Sequence, residues 1–214
     1  MTVWSYLEVA WADVLERFVE HLVLVTLSII LATAVGVLVG IVVYRSGFAT
    51  ETAMTVTNML YTVPSLSYFV LVTPWLGIGT APVLLIVVIY ALLPIVRNAI
   101  TGLQEVDPAV VKSAAAMGMT LAQQLARIEL PLAWPVILAG IRVSTVLTAG
   151  MATIGGYVEG PGLGYLLFNA LKAIGTPRAI PQAIVAIVCI VAVALLLDGA
   201  LRGIGKFTTG RGLR

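Results

Sequence analysis

Five apolar runs, each roughly 20 to 25 residues and so long enough to cross a bilayer as a helix, constrain this chain more than any other feature. They are Leu22 to Tyr44, Ala53 to Leu76, Pro82 to Leu103, Ala133 to Tyr157 and Ala183 to Leu201. In hydrocarbon every backbone N–H and C=O must find its partner within the protein, and a continuous apolar run of this length does so as a helix. Composition agrees, since 60% of the 214 residues are hydrophobic and only 10% are charged, outside the range of soluble domains. The expectation is an all-α polytopic membrane protein of five transmembrane helices, a single domain over residues 1–214 with little room for anything else. Its setting is then a cell membrane, plasma or inner, crossed several times and bathed in lipid.

The stretch before the first run carries Glu8, Asp13, Glu16 and Glu20 around Arg17, with no positive start, so it does not read as a cleavable signal peptide. Residues 1–21 read as an amphipathic interfacial helix, with Trp4, Tyr6, Trp11 and Phe18 at headgroup level. Five spans put the termini on opposite sides, and lysine and arginine choose between them. Arg45, Arg97, Lys112, Arg127, Arg202, Lys206, Arg211 and Arg214 fall on one side, against Arg17, Lys172 and Arg178 on the other. The C-terminus is expected in the cytoplasm and the N-terminus outside. The single Cys189, inside an apolar run, reads as a small core hydrophobe.

Between the third and fourth spans lies a polar, well punctuated stretch, residues 107–130. Asp107 suits an N-cap and Pro108 the first helical position, while Gly118 supplies a left-handed stop. Thr120 and Gln123 then form a capping box, and Pro131 is expected to block continuation before Pro135 opens the next span. The result is a cytoplasmic knob of helix, glycine bend and helix. Ala114, Ala115 and Ala116 give its first helix a slim surface that a partner's groove could approach, with Val110, Val111 and Met117 as anchors; packing on its own protein is the plainer alternative.

The spacing Ala114-x3-Gly118-x9-Ile128-x-Leu130-Pro131 resembles the EAA motif of the membrane subunits of ABC importers. The glutamate position of that motif is held here by Lys112 and its first alanine by Ser113, so the charge is reversed. The segments "YTVPSLSYFVLVTPWLGIG", "YALLPIVRNAITGLQEVDPAV" and "LPLAWPVILAGIRVSTVLTAGMATIGGYVEGPGLG" are similar to permeases of osmoprotectant importers, over most of Tyr61 to Gly164. The first 50 residues and the last 40 or so match only in hydropathy. The resemblance implies the fold of a type I ABC importer permease, like that of the methionine importer, and a path for glycine betaine, choline, carnitine or a related quaternary ammonium solute. It also implies that Lys112, Ser113, Ala114, Ala115, Met117, Gly118, Ile128, Leu130 and Pro131 form the surface that couples to an ATPase. Two ATP-binding subunits carrying ATP and Mg, a second permease chain, identical or homologous, and an extracytoplasmic solute-binding protein are the partners it implies. No cofactor is expected on this chain, and no nucleic acid.

The residues themselves are consistent with a transport subunit that is not an enzyme. There is no GxxxxGK[ST] loop, and the one histidine, His21, stands at a helix entrance as a membrane-boundary residue, away from any metal-like cluster. The second span is interrupted by Asn58, Pro64 and Pro74, which a helix facing lipid would not tolerate. Tyr61, Pro64, Ser65 and Ser67 are therefore candidates for lining a path, against the alternative of a kink satisfied by neighbouring helices. Aromatic faces best hold a quaternary ammonium group, and the sequence shows no recognisable cage of them. Arg142 and Asp198 lie at comparable depth and could pair, while Asp198 could equally pair with Arg202 on its own helix.

Residues 158–182 form an external loop with a short helix, Tyr165 to Ile174, and Glu159, Lys172 and Arg178 as its charges, suited to a gate, a dock or a plain connection. Gly150, Ala152, Gly155 and Gly156 suit close helix contact, across a subunit interface among other places. A permease of a methionine-type importer is the nearest rival, and an ion-coupled secondary transporter or a channel are rivals of another class. Nucleotide-dependent uptake separates the last two from an importer subunit.

Overall fold

In the computed structural model, which describes residues 1–208, every regular element is helical. Arg211 and Arg214 lie outside the described residues. The first helix, α1 (Val3–Val43), opens on a capping box in which the Thr2 hydroxyl accepts from the Ser5 N–H at 3.2 Å. It runs for 41 residues, about 60 Å at 1.5 Å per residue. The interfacial helix expected at 1–21 and the span expected at 22–44 are thus one helix. The change from acidic to apolar composition near residue 21 carries no backbone break, because neither proline nor glycine occurs before Gly36. The first half also packs on the rest of the protein. Its Tyr6 and Val14 are buried in a cluster with Leu163, Leu166, Val185 and Val193, and Trp4 and Trp11 point outward.

The second span, expected over 53–76, is two helices. α2 (Gly47–Thr62) and α3 (Ser65–Leu76) meet at a bend of 91°. Pro64 cannot donate to the ladder and forces Val63 into an extended conformation, with φ −66° and ψ 127°, so the chain turns there. α4 (Thr80–Gln104) follows and forms the centre of the molecule, where Val83, Ile86, Val87, Ala91, Ile95 and Ala99 are all buried. Small residues set the spacing on both its sides. A Cβ on Gly36 or Gly40 of α1 would come within 2.7 Å of Ile95 or 2.6 Å of Ala99. One on Gly140 would lie 2.5 Å from the Asn98 side chain, so the backbones of these helices approach as closely as small residues allow.

The knob contains α5 (Pro108–Ala116) and a four-residue turn, α6 (Leu121–Gln124). Pro131 does not stop the chain, as the sequence suggested it would. Instead α6, a π turn over Leu125–Glu129, α7 (Leu130–Met151) and a 3-10 turn over Ala152–Val158 make one helical run, Leu121–Val158. A proline ring ordinarily clashes with the carbonyl four residues earlier. The wider turn just before Pro131, closed from the Leu130 N–H to the Leu125 carbonyl, gives the ring room. The short helix α8 (Gly164–Lys172) and the long α9 (Ala179–Thr208) complete the chain. Among the described residues four helical runs are long and apolar enough to cross a membrane, and the bent α2–α3 pair makes five if it is one span.

Candidate functional site

The knob is built as its punctuation requires. The Asp107 carboxylate accepts from the Ala109 N–H at 2.8 Å, Gly118 turns the chain at φ +82°, and the Thr120–Gln123 box is closed by both of its bonds. Gln124, buried behind the bend, donates from Nε2 to the Met119 carbonyl at 2.8 Å and fixes the turn from inside. α5 has two unlike faces. Ala114 is buried and Val111 packs on the core, whereas Lys112, Ser113, Ala115, Ala116, Met117 and Gly118 stand exposed, and so do Val110 and Leu121. Met117 is 74% exposed, which leaves an apolar tip ringed by small side chains. Of the remaining motif residues, Ile128 and Leu130 are half-buried beneath the knob and Pro131 is exposed at the head of α7.

A tie that sequence reading missed holds this knob to the end of α1. Glu129, 3% exposed, accepts from the Tyr44 hydroxyl at one oxygen and from Arg45 Nη2 at the other, 2.9 Å away. Arg45 Nε also donates to the Tyr44 oxygen at 2.5 Å, and Gln104 Nε2 donates to the Tyr44 carbonyl at 3.0 Å. Burial alone would lower the pKa of Arg45, but the Tyr44 hydroxyl and the Glu129 carboxylate outweigh it and hold the guanidinium above its ordinary value. No local pattern could have disclosed this, because 84 residues separate Arg45 from Glu129.

Arg142 and Asp198 come together, and the alternative pairing forms as well. Asp198 accepts from Arg142 Nε at 2.7 Å through one oxygen and from Arg202 Nε at 2.8 Å through the other. One carboxylate, nearly buried, therefore bridges α7 and the end of α9, beside an open cavity of about 410 Å³ lined by Ala139, Val143, Val146 and Leu147. At the same end Trp134 Nε1 donates to the Thr208 hydroxyl at 2.7 Å.

The path candidates lie at the corner of the bent α2–α3 pair. Tyr61, Pro64 and Ser67 are exposed and Ser65 is half-buried. The carbonyls released by the break are not left bare. Tyr68 donates to the Leu60 carbonyl at 2.7 Å and Tyr90 of α4 donates to that of Val63. The rings of Tyr61 and Tyr68 each meet that of Tyr90 edge to face, with centroids 5.5 and 5.9 Å apart. Three tyrosines thus gather where the sequence showed no aromatic cluster, two of them brought by the fold from α3 and α4.

At the other end of the molecule His21, expected at a helix entrance, lies midway along α1 and is fully buried. Its Nε2–H donates to the Ala149 carbonyl at 2.9 Å, and Gly162, at φ +97°, passes over its ring with its N–H on Glu20 at 2.9 Å. Of the small residues considered for a subunit contact, Gly155 packs on Val83, Gly156 on the backbone of Gly164, and Ala152 is buried, while Gly150 faces open space. Glu159, Lys172 and Arg178 are exposed, and the last two line one open cavity with Asn169, Thr176 and Gln182 at the end of α8.

The family of binding-protein-dependent transport system inner membrane components matches residues 32–209. The chain is 36% identical over 168 residues to the choline transport system permease protein OpuBB of Bacillus subtilis, covering 78% of this chain and 77% of that one. It is 31% identical over 210 residues to the glycine betaine/carnitine/choline transport system permease protein OpuCB of the same species, covering 98% and 95%. It is 34% identical over 200 residues to the osmoprotectant import permease protein OsmW of Salmonella typhimurium, covering 91% of each. In fold it is similar to a chain of the MetNI methionine ABC transporter in an inward-facing conformation, with a TM-score of 0.80, 21% identity, and 92% and 96% of the two chains covered.

Proposed function

The chain belongs to the family of binding-protein-dependent transport system inner membrane components, and from that premise we propose that it forms the solute path of an ATP-driven importer for quaternary ammonium osmoprotectants. Its membrane place and its role as a permease subunit, distinct from the ATPase, follow from the family. The substrate class rests on one observation. Relatives matching at 31–40% identity over 70% or more of their own length carry names for choline, carnitine, glycine betaine or osmoprotectant transport. The likeness to the methionine transporter, at 21% identity, speaks for the fold alone.

The knob then faces the cytoplasm, as the excess of Lys and Arg at that end favours, and the α8 loop faces outward. Lys112, Ser113, Ala115, Met117 and Gly118 meet a groove in the ATP-binding subunit, while Ala114, Ile128, Leu130 and Pro131 seat the knob on α7. Two such ATPase subunits, holding ATP and Mg, act on two permease chains, and a solute-binding protein delivers to the outer face. Closure of the ATPases pushes the knobs together. Because Glu129 ties the knob to Tyr44 and Arg45 at the start of the α1–α2 link, the push reaches both α7 and the broken span. Asp198, held by two arginines, is a fixed brace between α7 and α9.

Deleting the gene in its native host tests the reading. ATP-dependent accumulation of labelled glycine betaine, choline or carnitine in medium of high osmolarity is lost and returns with the gene. Unchanged accumulation of all three, with methionine uptake lost instead, would overturn the substrate class.

A further inference from the structure

We infer that the exposed ring of Tyr61, at the corner of the broken span, is a contact surface for the quaternary ammonium group within the membrane path. The inference rests on the substrate class proposed above and adds the residue that recognises it. Four observations carry it.

The first is the exposed polar stripe that leads to the ring. Glu51, Thr55, Asn58 and Thr62 recur along α2 at the spacing of one helix face, and all four are exposed. Thr55 and Asn58 have no side-chain hydrogen bond among the described residues, and the same holds for Ser65 and Ser67 just past the corner. Unpaired polar groups at membrane depth face water or another protein surface, not lipid. Tyr61 lies one turn beyond Asn58 and beside Thr62.

The second is depth. α2 starts at Gly47, beside the knob end of α1, and Tyr61 comes 14 residues later, roughly 21 Å along the axis. With α2 entering the bilayer at Gly47 and running along its normal, that position lies within a hydrocarbon core about 30 Å thick and past its midplane, in the region where broken helices of transporters hold their solutes.

The third is rigidity. Tyr68 and Tyr90 are 8% and 6% exposed, and their hydroxyls are committed to the carbonyls of Leu60 and Val63. They fix the corner and back the Tyr61 ring, which packs edge to face on Tyr90. Tyr61 itself is 37% exposed and its hydroxyl makes no such bond, so it is the one ring of the three with a free surface.

The fourth is chemistry. A trimethylammonium group has no N–H to donate, so hydroxyls and carbonyls cannot hold it tightly. The electron-rich face of an aromatic ring attracts it, and a contact of this kind is transient enough for a solute that must move on.

The test uses the intact importer in lipid nanodiscs without its binding protein, so that affinity for the path is read directly. Choline and its carbon isostere 3,3-dimethylbutan-1-ol, which has the same shape and no charge, are the probes. Tyr61→Leu is expected to weaken choline binding by roughly 2- to 30-fold, the span of one cation–π contact from exposed to desolvated. Binding of the isostere stays within error, and Tyr61→Phe, which restores the ring, recovers choline binding. Should Tyr61→Leu fail to assemble, phenylalanines bearing one to three fluorines at position 61 preserve the shape, and choline binding falls stepwise with each fluorine. Equal effects on choline and the isostere, or a flat fluorine series, would overturn the inference. Its failure differs from failure of the substrate class. In the latter, the wild-type importer moves none of glycine betaine, choline or carnitine in cells; in the former it moves them and Tyr61 is indifferent.

Discussion

At the residue scale, Glu129 states most clearly what this membrane protein spends on position. A carboxylate with 3% exposure is tolerated because both its oxygens are filled, one by a phenol and one by a guanidinium. Arg45→Ala leaves that carboxylate with Tyr44 alone. Since Arg45 is itself 41% exposed in its side chain and in part screened by water, the expected loss is about 1–2 kcal/mol, less than that of a fully buried pair. Thermal unfolding of the purified protein in detergent measures it. The same variant should lower solute uptake per ATP hydrolysed more than it lowers assembly, because the tie joins the knob to the span that bends. An Arg45→Ala protein with unchanged stability and full coupling would show that the tie is incidental.

At the element scale, the prolines show what a sequence does and does not disclose. Pro64 was readable as a break, and the 91° bend stands there, because a missing N–H and a restricted preceding residue act locally. Pro131 was equally readable as a stop, yet the helix passes through it. A π turn absorbs the ring, and whether one forms depends on the packing of Leu125 and Leu130 beneath the knob, which local sequence does not encode. The N-terminal segment shows the converse: its composition suggests an interfacial helix followed by a span, and the structure has one continuous helix. Composition changed near His21 but no breaker was present, and burial of Tyr6 and Val14 against α8 and α9 gave the first half a place to pack. The knob was legible almost atom by atom, since caps are short-range. The tyrosine corner was not, since Tyr90 reaches it from another helix. Tyr90→Phe tests that corner by removing the donor to the Val63 carbonyl while keeping the ring. A loss of about 1 kcal/mol, that of a part-buried hydrogen bond, is expected in the same unfolding assay. No change would mean that water or a neighbouring chain already serves that carbonyl.

At the scale of the whole molecule, the chain divides into a closely packed centre and two unfinished surfaces. α4, flanked by the small-residue faces of α1 and α7, needs no further partner. The polar stripe of α2 and the apolar tip of the knob are exposed, and on the proposed function other chains of the importer and the solute path complete them. The tip gives the most direct test of the central claim. A Cβ on Gly118 would meet nothing within 4 Å in this chain, so a large side chain there is felt chiefly by a partner, beyond the strain of φ +82°. The measurement is co-purification of an ATPase from the native host with the tagged chain and with Gly118→Trp, and with Met117→Glu as a variant free of backbone strain. The account predicts that the wild type brings down an ATPase and that both variants reach the membrane without it. A wild-type chain that takes up solute with no ATPase bound, or variants that keep the ATPase at full occupancy, would contradict it.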